Sequence, residues 1–237
     1  MMFLCITCPT LLHAGDFSVG AVAANSSGEY INSDTQSYLL PLVRYNSDSW
    51  TVTTIRAEYH LPITSNLWVD TIAAFRLQNL SDKTSDKTVG IEKRNESLDA
   101  GFSINYYLGD FGFTGVEWLY DISSTHKGNE LSLLYAFPLE GPKIGITPSL
   151  FISRMSDDLV DYYYGVRTPE VRSDRPFYQG KSTTNYGASL ELRYSMSRHW
   201  KLYLQSSITQ LGKNITASPL VDRKNSINSS LAVNYRF

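Results

Sequence analysis

Outside the first 14 residues the chain carries three histidines, His60, His126 and His199, and these are its candidates for general-base chemistry near neutral pH. A histidine of this kind needs a nucleophile on one ring nitrogen and an orienting carboxylate on the other. The three fall at a strand end, in a longer polar loop and in a short turn, so they are not expected to converge on one another. The chain contains no HExxH pair and no glycine-rich phosphate loop. Ten charged residues fall on the inward parity of its alternating runs: Arg56, Glu58, Asp70, Arg76, Asp99, Glu117, Glu191, Arg193, Lys201 and Arg236. Mixed signs on one parity point to a network of mutually neutralising pairs, because buried charges need partners. No catalytic, metal or cofactor role is assigned to them, and the chain is read as a non-enzyme.

The densest polar-aromatic cluster is Asp157, Asp158, Asp161, Tyr162, Tyr163, Tyr164 and Gly165, followed by Arg167, Arg172 and Arg175. It lies in the longest stretch without strand character, residues 156–182. One reading folds this loop over a mouth, where tyrosines give contact area to a partner or a sugar at low entropic cost. The favoured reading places the tyrosines in an aromatic girdle, with the aspartates and arginines neutralising each other. Calcium binding by three aspartates is the weakest of the readings. A second cluster, Ser218, Pro219, Leu220 and Val221, sets apolar residues in a polar loop. It reads equally as a plug or as a loop clasp.

These residues are carried by elements of one kind. The terminal SINSSLAVNYRF puts Ile227, Leu231, Val233, Tyr235 and Phe237 on one parity, and Asn228, Ser230, Asn234 and Arg236 on the other. The same period of two recurs through NYGASLELRYSM, HWKLYLQSSI, LDAGFSINYYL and NLWVDTIAAFRLQ. Runs of about 10 to 13 residues exceed the ordinary strand of about five or six and suit strands that cross a bilayer at a tilt. Only a closed barrel presents strands to lipid without leaving an unpaired edge. A soluble barrel or sandwich is the alternative, and it inverts the two faces. Net charge is −2, which gives no reason to expect nucleic acid as a partner.

Short turns (LGDF, LEGPK, MSRH) alternate with longer polar loops, which assigns the short turns to the periplasmic side and places Phe237 at the periplasmic rim, closing the barrel together with Tyr235. Eleven runs are evident, and a barrel with both termini on one side needs an even number. Within 49–61 the phase flips between Thr54 and Ile55. A turn there gives twelve strands; a bulge, with one other run misassigned, gives ten. The apolar start, MMFLCITCPTLLHA, is expected to be a secretory signal over residues 1–14, with the barrel over 15–237. A basic n-region is absent from it, so the true start is expected upstream. Both cysteines, Cys5 and Cys8, fall inside this segment, so no disulfide or thiolate site is expected in the barrel.

DDLVDYYYGVRTPE (157–170), HWKLYLQSSITQL (199–211), SPLVDR (218–223), SYLLPLVRYNSDSWTV (37–52), GITPSLFIS (145–153) and the terminal NYRF together resemble the MipA/OmpV family of Gram-negative outer-membrane proteins. The order and spacing fit along nearly the whole of 15–237. The chain departs from the family pattern at Ala217, where an acidic residue is usual, and at Thr53-Thr54, where a glycine is common. The resemblance implies an outer-membrane barrel in contact with lipid. One namesake is described as a scaffold that links a lytic transglycosylase with a peptidoglycan synthase, and other members are tied to adhesion, osmotic response or antibiotic susceptibility. The expectation is therefore a scaffold for murein-processing enzymes, with a narrow small-solute channel or a surface adhesin as the alternative.

Overall fold

The computed structural model describes residues 15–237, so the expected signal segment lies outside the described residues. The strands run β1 (Asp16–Ser26), β2 (Gln36–Asn46), β3 (Trp50–Thr53), β4 (Arg56–Pro62), β5 (Leu67–Arg76), β6 (Ser97–Tyr107) and β7 (Phe113–Asp121). They continue with β8 (Asn129–Ala136), β9 (Leu139–Glu140), β10 (Ile144–Met155), β11 (Thr183–Ser195), β12 (Trp200–Gln210) and β13 (Asn225–Arg236). Each is antiparallel to the strands it pairs with, and β13 pairs with β1, so the sheet closes on itself. β8 and β9 are one strand of the wall. Both pair with β10 in the same register, Ser149 to Ala136 and Ile146 to Leu139. The ladder lapses between them because Pro138 and Pro148, which have no N–H, occupy the gap. The barrel therefore has 12 strands.

The phase flip at Thr54–Ile55 is a turn, which settles the strand count in favour of twelve. Val52 pairs with Ala57 across it. The odd residues of β13 point outward and the even ones inward: Ile227 and Leu231 are exposed, while Ser226, Asn228 and Asn234 are buried. Leu39, Leu133, Leu150, Leu190 and Leu204 are likewise exposed on the outer wall, and Thr51, Asp70, Asp99, Ser149 and Asn185 are buried inside it. Apolar outside and polar inside is the arrangement of a barrel in lipid and excludes the soluble alternative. Phe17, Trp200, Tyr235 and Phe237 cluster at one rim, with ring centroids 5.1–5.8 Å apart between neighbours.

That rim also bears the short connections 47–49, 63–66, 108–112, 141–143 and 196–199. In 108–112 the chain reverses through Gly112 at φ 86°, where a Cβ would stand 2.1 Å from the Ala136 carbonyl oxygen. The opposite, outer rim carries 27–35, 77–96, 122–128, 156–182 and 211–224. Within these lie two helices, α1 (Asp157–Tyr164) and α2 (Lys213–Thr216).

Candidate functional site

The outer mouth is closed by a small hydrophobic core that the loops build for themselves. Ser156 caps α1, and its hydroxyl also accepts from the Asn129 amide at 2.9 Å, fixing where the helix leaves the wall. The helix then turns Leu159, Val160, Tyr163 and Tyr164 inward. They meet Tyr30, Leu80, Ile91, Val166, Leu211, Ile215, Leu220 and Val221 from the other loops.

The expectation of a tyrosine girdle is thus corrected. Tyr163 and Tyr164 are fully enclosed and Tyr162 is half-buried against them. A helical turn over 157–164, absent from the sequence reading, draws this face away from lipid. Tyr163 donates to the Asn95 carbonyl at 3.0 Å, Tyr164 bonds Glu29, and Gln78 donates to the Tyr164 hydroxyl at 2.8 Å. Burial pushes the phenols of Tyr163 and Tyr164 above their usual range, and Glu29 adds to the effect on Tyr164.

The other singled-out residues serve the same cap. Asp157 and Asp161 do not converge on a shared point. Each accepts a backbone N–H of the returning chain, Ser182 at 2.5 Å and Gly180 at 2.7 Å, so they staple the two ends of the loop. Asp158 is exposed. Gly165 is buried where a Cβ would meet the Asp161 carbonyl oxygen at 2.4 Å. Ser218 donates to the Tyr164 carbonyl at 2.6 Å, and Leu220 accepts from the Ile31 amide at 2.7 Å. Leu220 and Val221 lie in the cap core, with Pro219 half-buried beside them. The 218–221 segment is therefore a clasp that completes the plug. Gly165, Tyr163, Tyr164, Ser218, Leu220 and Val221 touch cap residues and offer little surface to a partner.

Arg94 and Glu170 hold the cap at its centre, although neither stands out in the sequence. Arg94 is buried and donates to the Tyr162 carbonyl at 2.7 Å, the Glu92 carbonyl at 2.6 Å and the Glu170 carboxylate at 2.9 Å. Burial pushes the Glu170 carboxyl up. Donations from the Arg167 and Glu92 amides, with the Arg94 guanidinium, outweigh it and hold the carboxyl below its usual range. Loop 77–96 carries no sequence signal for this pair, because Arg94 and Glu170 lie 76 positions apart.

Below the cap the lumen is crossed by the expected ion pairs. Arg56 binds Glu58 at 2.6 Å and also Glu117; Arg76 binds Asp99 at 2.8 Å and Glu130 at 2.9 Å; Arg193 pairs with Glu140. Two cavities of about 90 and 230 Å³ lie among these side chains. Asp99, Asp121 and His126 bring ligand atoms within 4.8 Å of one another. Asp121 already accepts from the Ser123, His126 and Lys127 amides at 2.6–2.8 Å, which ties down the 122–128 loop.

A further chain of bonds was missed by the sequence reading. Thr51 Oγ1 stands 2.8 Å from His60 Nε2, and His60 Nδ1 stands 2.6 Å from Asp70 Oδ1. The three share inward parity, and the turns at 54–55 and 63–66 set them on adjacent strands. This is the bonding order of a hydrolytic triad. None of the three lines either of the two cavities above. The second Asp70 oxygen accepts from Ser103 and Asn105 at 2.9 and 2.8 Å, so the chain of bonds continues around the wall.

A closed antiparallel barrel with a lipid-compatible outer wall, an aromatic rim and a charged lumen defines the class: an outer-membrane β-barrel protein, and the cell outer membrane is its location. Residues 19–237 match the family described as MltA-interacting protein MipA, and the chain belongs to that family. It is 29% identical over 157 residues to the outer membrane protein Omp26La of Vibrio anguillarum, an alignment covering 66% of this chain and 61% of that one. It is 23% identical over 238 residues to the MltA-interacting protein of Escherichia coli K12, covering 99% and 96%. An outer membrane channel from Pseudomonas putida F1 shares the fold at TM-score 0.51 and 14% identity, covering 97% of each chain.

Proposed function

We propose that this protein is a plugged outer-membrane barrel that acts as a scaffold, docking a lytic transglycosylase and a peptidoglycan synthase at its periplasmic rim. The observation that carries the reading is the closed outer mouth. A core of 13 buried residues sits where a solute would enter, above a lumen crossed by ion pairs. Such a barrel is better suited to holding partners than to passing solutes. The name of the Escherichia coli relative supports a lytic transglycosylase as one partner. On this reading the Thr51–His60–Asp70 chain of bonds is structural, and the outer loops are not the docking surface.

The test is crosslinking in intact cells, followed by affinity capture of the barrel and mass spectrometry. Murein enzymes should be recovered, with crosslinks at the short turns 63–66, 108–112 and 196–199. Crosslinks confined to Asp158 and the other exposed outer residues would favour the adhesin alternative. Steady openings in a planar bilayer would favour the channel. Chromogenic esters should remain uncleaved; turnover that disappears in Thr51→Val would overturn the non-enzymatic reading.

A further inference from the structure

The wall of the barrel is incomplete on one side. β3 has four residues, and its ladder with β2 stops at the pair Arg44–Thr53. Above that point residues 36–43 of β2 pair with β1 alone. At the same height β4 has already ended at Arg56, where it pairs with Ala74 of β5. Two strands are missing from the wall between β2 and β5. At a spacing of about 4.8 Å per strand, the gap before side chains are counted is on the order of 10 Å.

The edge of this gap is adapted to stay open. Pro41 faces it with no N–H to leave unpaired. Its carbonyl accepts from Thr54 Oγ1 at 2.8 Å, and Thr54 Oγ1 in turn accepts from the Val43 amide at 3.0 Å. The β3–β4 turn thus caps the lowest unpaired groups of β2 with a side chain in place of a strand. Ile55 and Thr54 form the sill, and Phe75 and Leu77 the far jamb. Phe75 lies on the outer wall and is 51% exposed, yet it lines the larger cavity, as do the inward-facing Val22, Leu40, Leu42 and Ala232. At the gap the lining of the larger cavity thus includes residues whose side chains belong to both faces of the wall.

The level of the window is set by its neighbours. Leu39 and Val43 project outward from its edge as part of the apolar belt. The apolar frame disfavours water at this level, while any backbone group of the β2 edge left unpaired there is costly in hydrocarbon. The floor of the cavity is different, formed by Ser230, Asn234 and Gln205. A molecule fitting both ends has an apolar chain and a polar head.

We propose that the gap between β2 and the β3–β4 turn is a lateral window through which a single-chain amphiphile of the outer leaflet enters the lumen. Its chain lies along Leu40, Leu42, Val22 and Ala232, and its head reaches the polar floor. The route bypasses the cap, so it is compatible with a plugged mouth and independent of any scaffolding role.

The test uses the full barrel in phosphatidylcholine vesicles containing a palmitic acid with a photoreactive diazirine in its tail. After illumination, peptide mapping should find adducts on the luminal residues Leu40, Leu42 and Val22, besides those on outward residues such as Leu133 and Leu150. Leu40→Lys, which puts a charge in the frame, should lower the luminal adducts about tenfold and leave the outward ones unchanged. Ala24→Leu, which narrows the cavity without adding charge, should lower them in the same direction and serves if the lysine variant fails to assemble. Adducts on outward residues alone overturn the proposal. Luminal adducts that persist undiminished in the variants overturn it as well, by removing the window from the route.

Discussion

Two neighbouring residues of β13 carry the inside–outside assignment. Val233 faces lipid and Asn234 is buried in the lumen, 3.3 Å from the Ser18 hydroxyl. A lysine or arginine on the lipid face near the midplane costs roughly 2–4 kcal/mol, and an aspartate less. Against a typical total of about 5–15 kcal/mol, Val233→Asp should weaken assembly and Asn234→Asp should be mild. Heat-modifiable migration on a gel reads both, and equal behaviour would contradict the assignment. Arg94 gives a second case. Removing one partner of a buried ion pair costs about 3–5 kcal/mol, so Arg94→Ala should release the cap to protease at 77–96 and 156–182 while the barrel still migrates as folded. At this scale parity made the sequence legible: the inward charges of the wall and the outward Ile227 and Leu231 of β13 follow from alternation alone. Parity also held Thr51, His60 and Asp70 on one face, but only cross-strand register shows that they touch. Register depends on turn geometry, which residue types specify weakly.

Among the elements, the strands were readable in place and order, because a long period of two has few competing explanations. The turn at Thr54–Ile55 was readable as a break in phase, but not as a turn in preference to a bulge, since either one shifts parity. α1 was not readable as a helix. Its eight residues are too few for a periodic signal, and three consecutive tyrosines suit a girdle equally well by composition. Its place is set by tertiary contacts through Ser156, Asp161 and the clasp at 218–221. The cap also has a predictable response to acid. The Glu170 carboxyl is held below the ordinary value of about 4.3. Its stabilising contribution is therefore complete above that pH and is lost as pH falls through the lowered value. Near-ultraviolet circular dichroism of the cap tyrosines should show a step in that acid range. Glu170→Gln should remove the step while leaving far-ultraviolet strand signal intact.

For the whole molecule, an apolar exterior suits the barrel wall to lipid and ion pairs tie its interior, while the cap is a separate small core resting on it. The two should therefore fail separately. Placing Asp at Leu159 and Val160 together should unpack the cap, leave heat-modifiable migration unchanged, and raise bilayer conductance from near zero to discrete openings limited by the ion pairs below. If the conductance does not change, the lumen itself is the barrier. The join between β1 and β13 has a further consequence, in time. Arg236 meets Asp16 across a separation of 220 residues, and the Phe237 amide donates to the Phe17 carbonyl. Contacts so distant in sequence form late and slowly, and here they form between the first strand to be made and the last. Until the final dozen residues arrive, every intermediate is an open sheet with two bare edges, one of them β1. The first strand must therefore wait, shielded from self-association, for its partner at the other end of the chain. A barrel stalled one strand short of completion should accumulate as a chaperone-bound species that carries most of its lipid-facing surface and none of its resistance to heat.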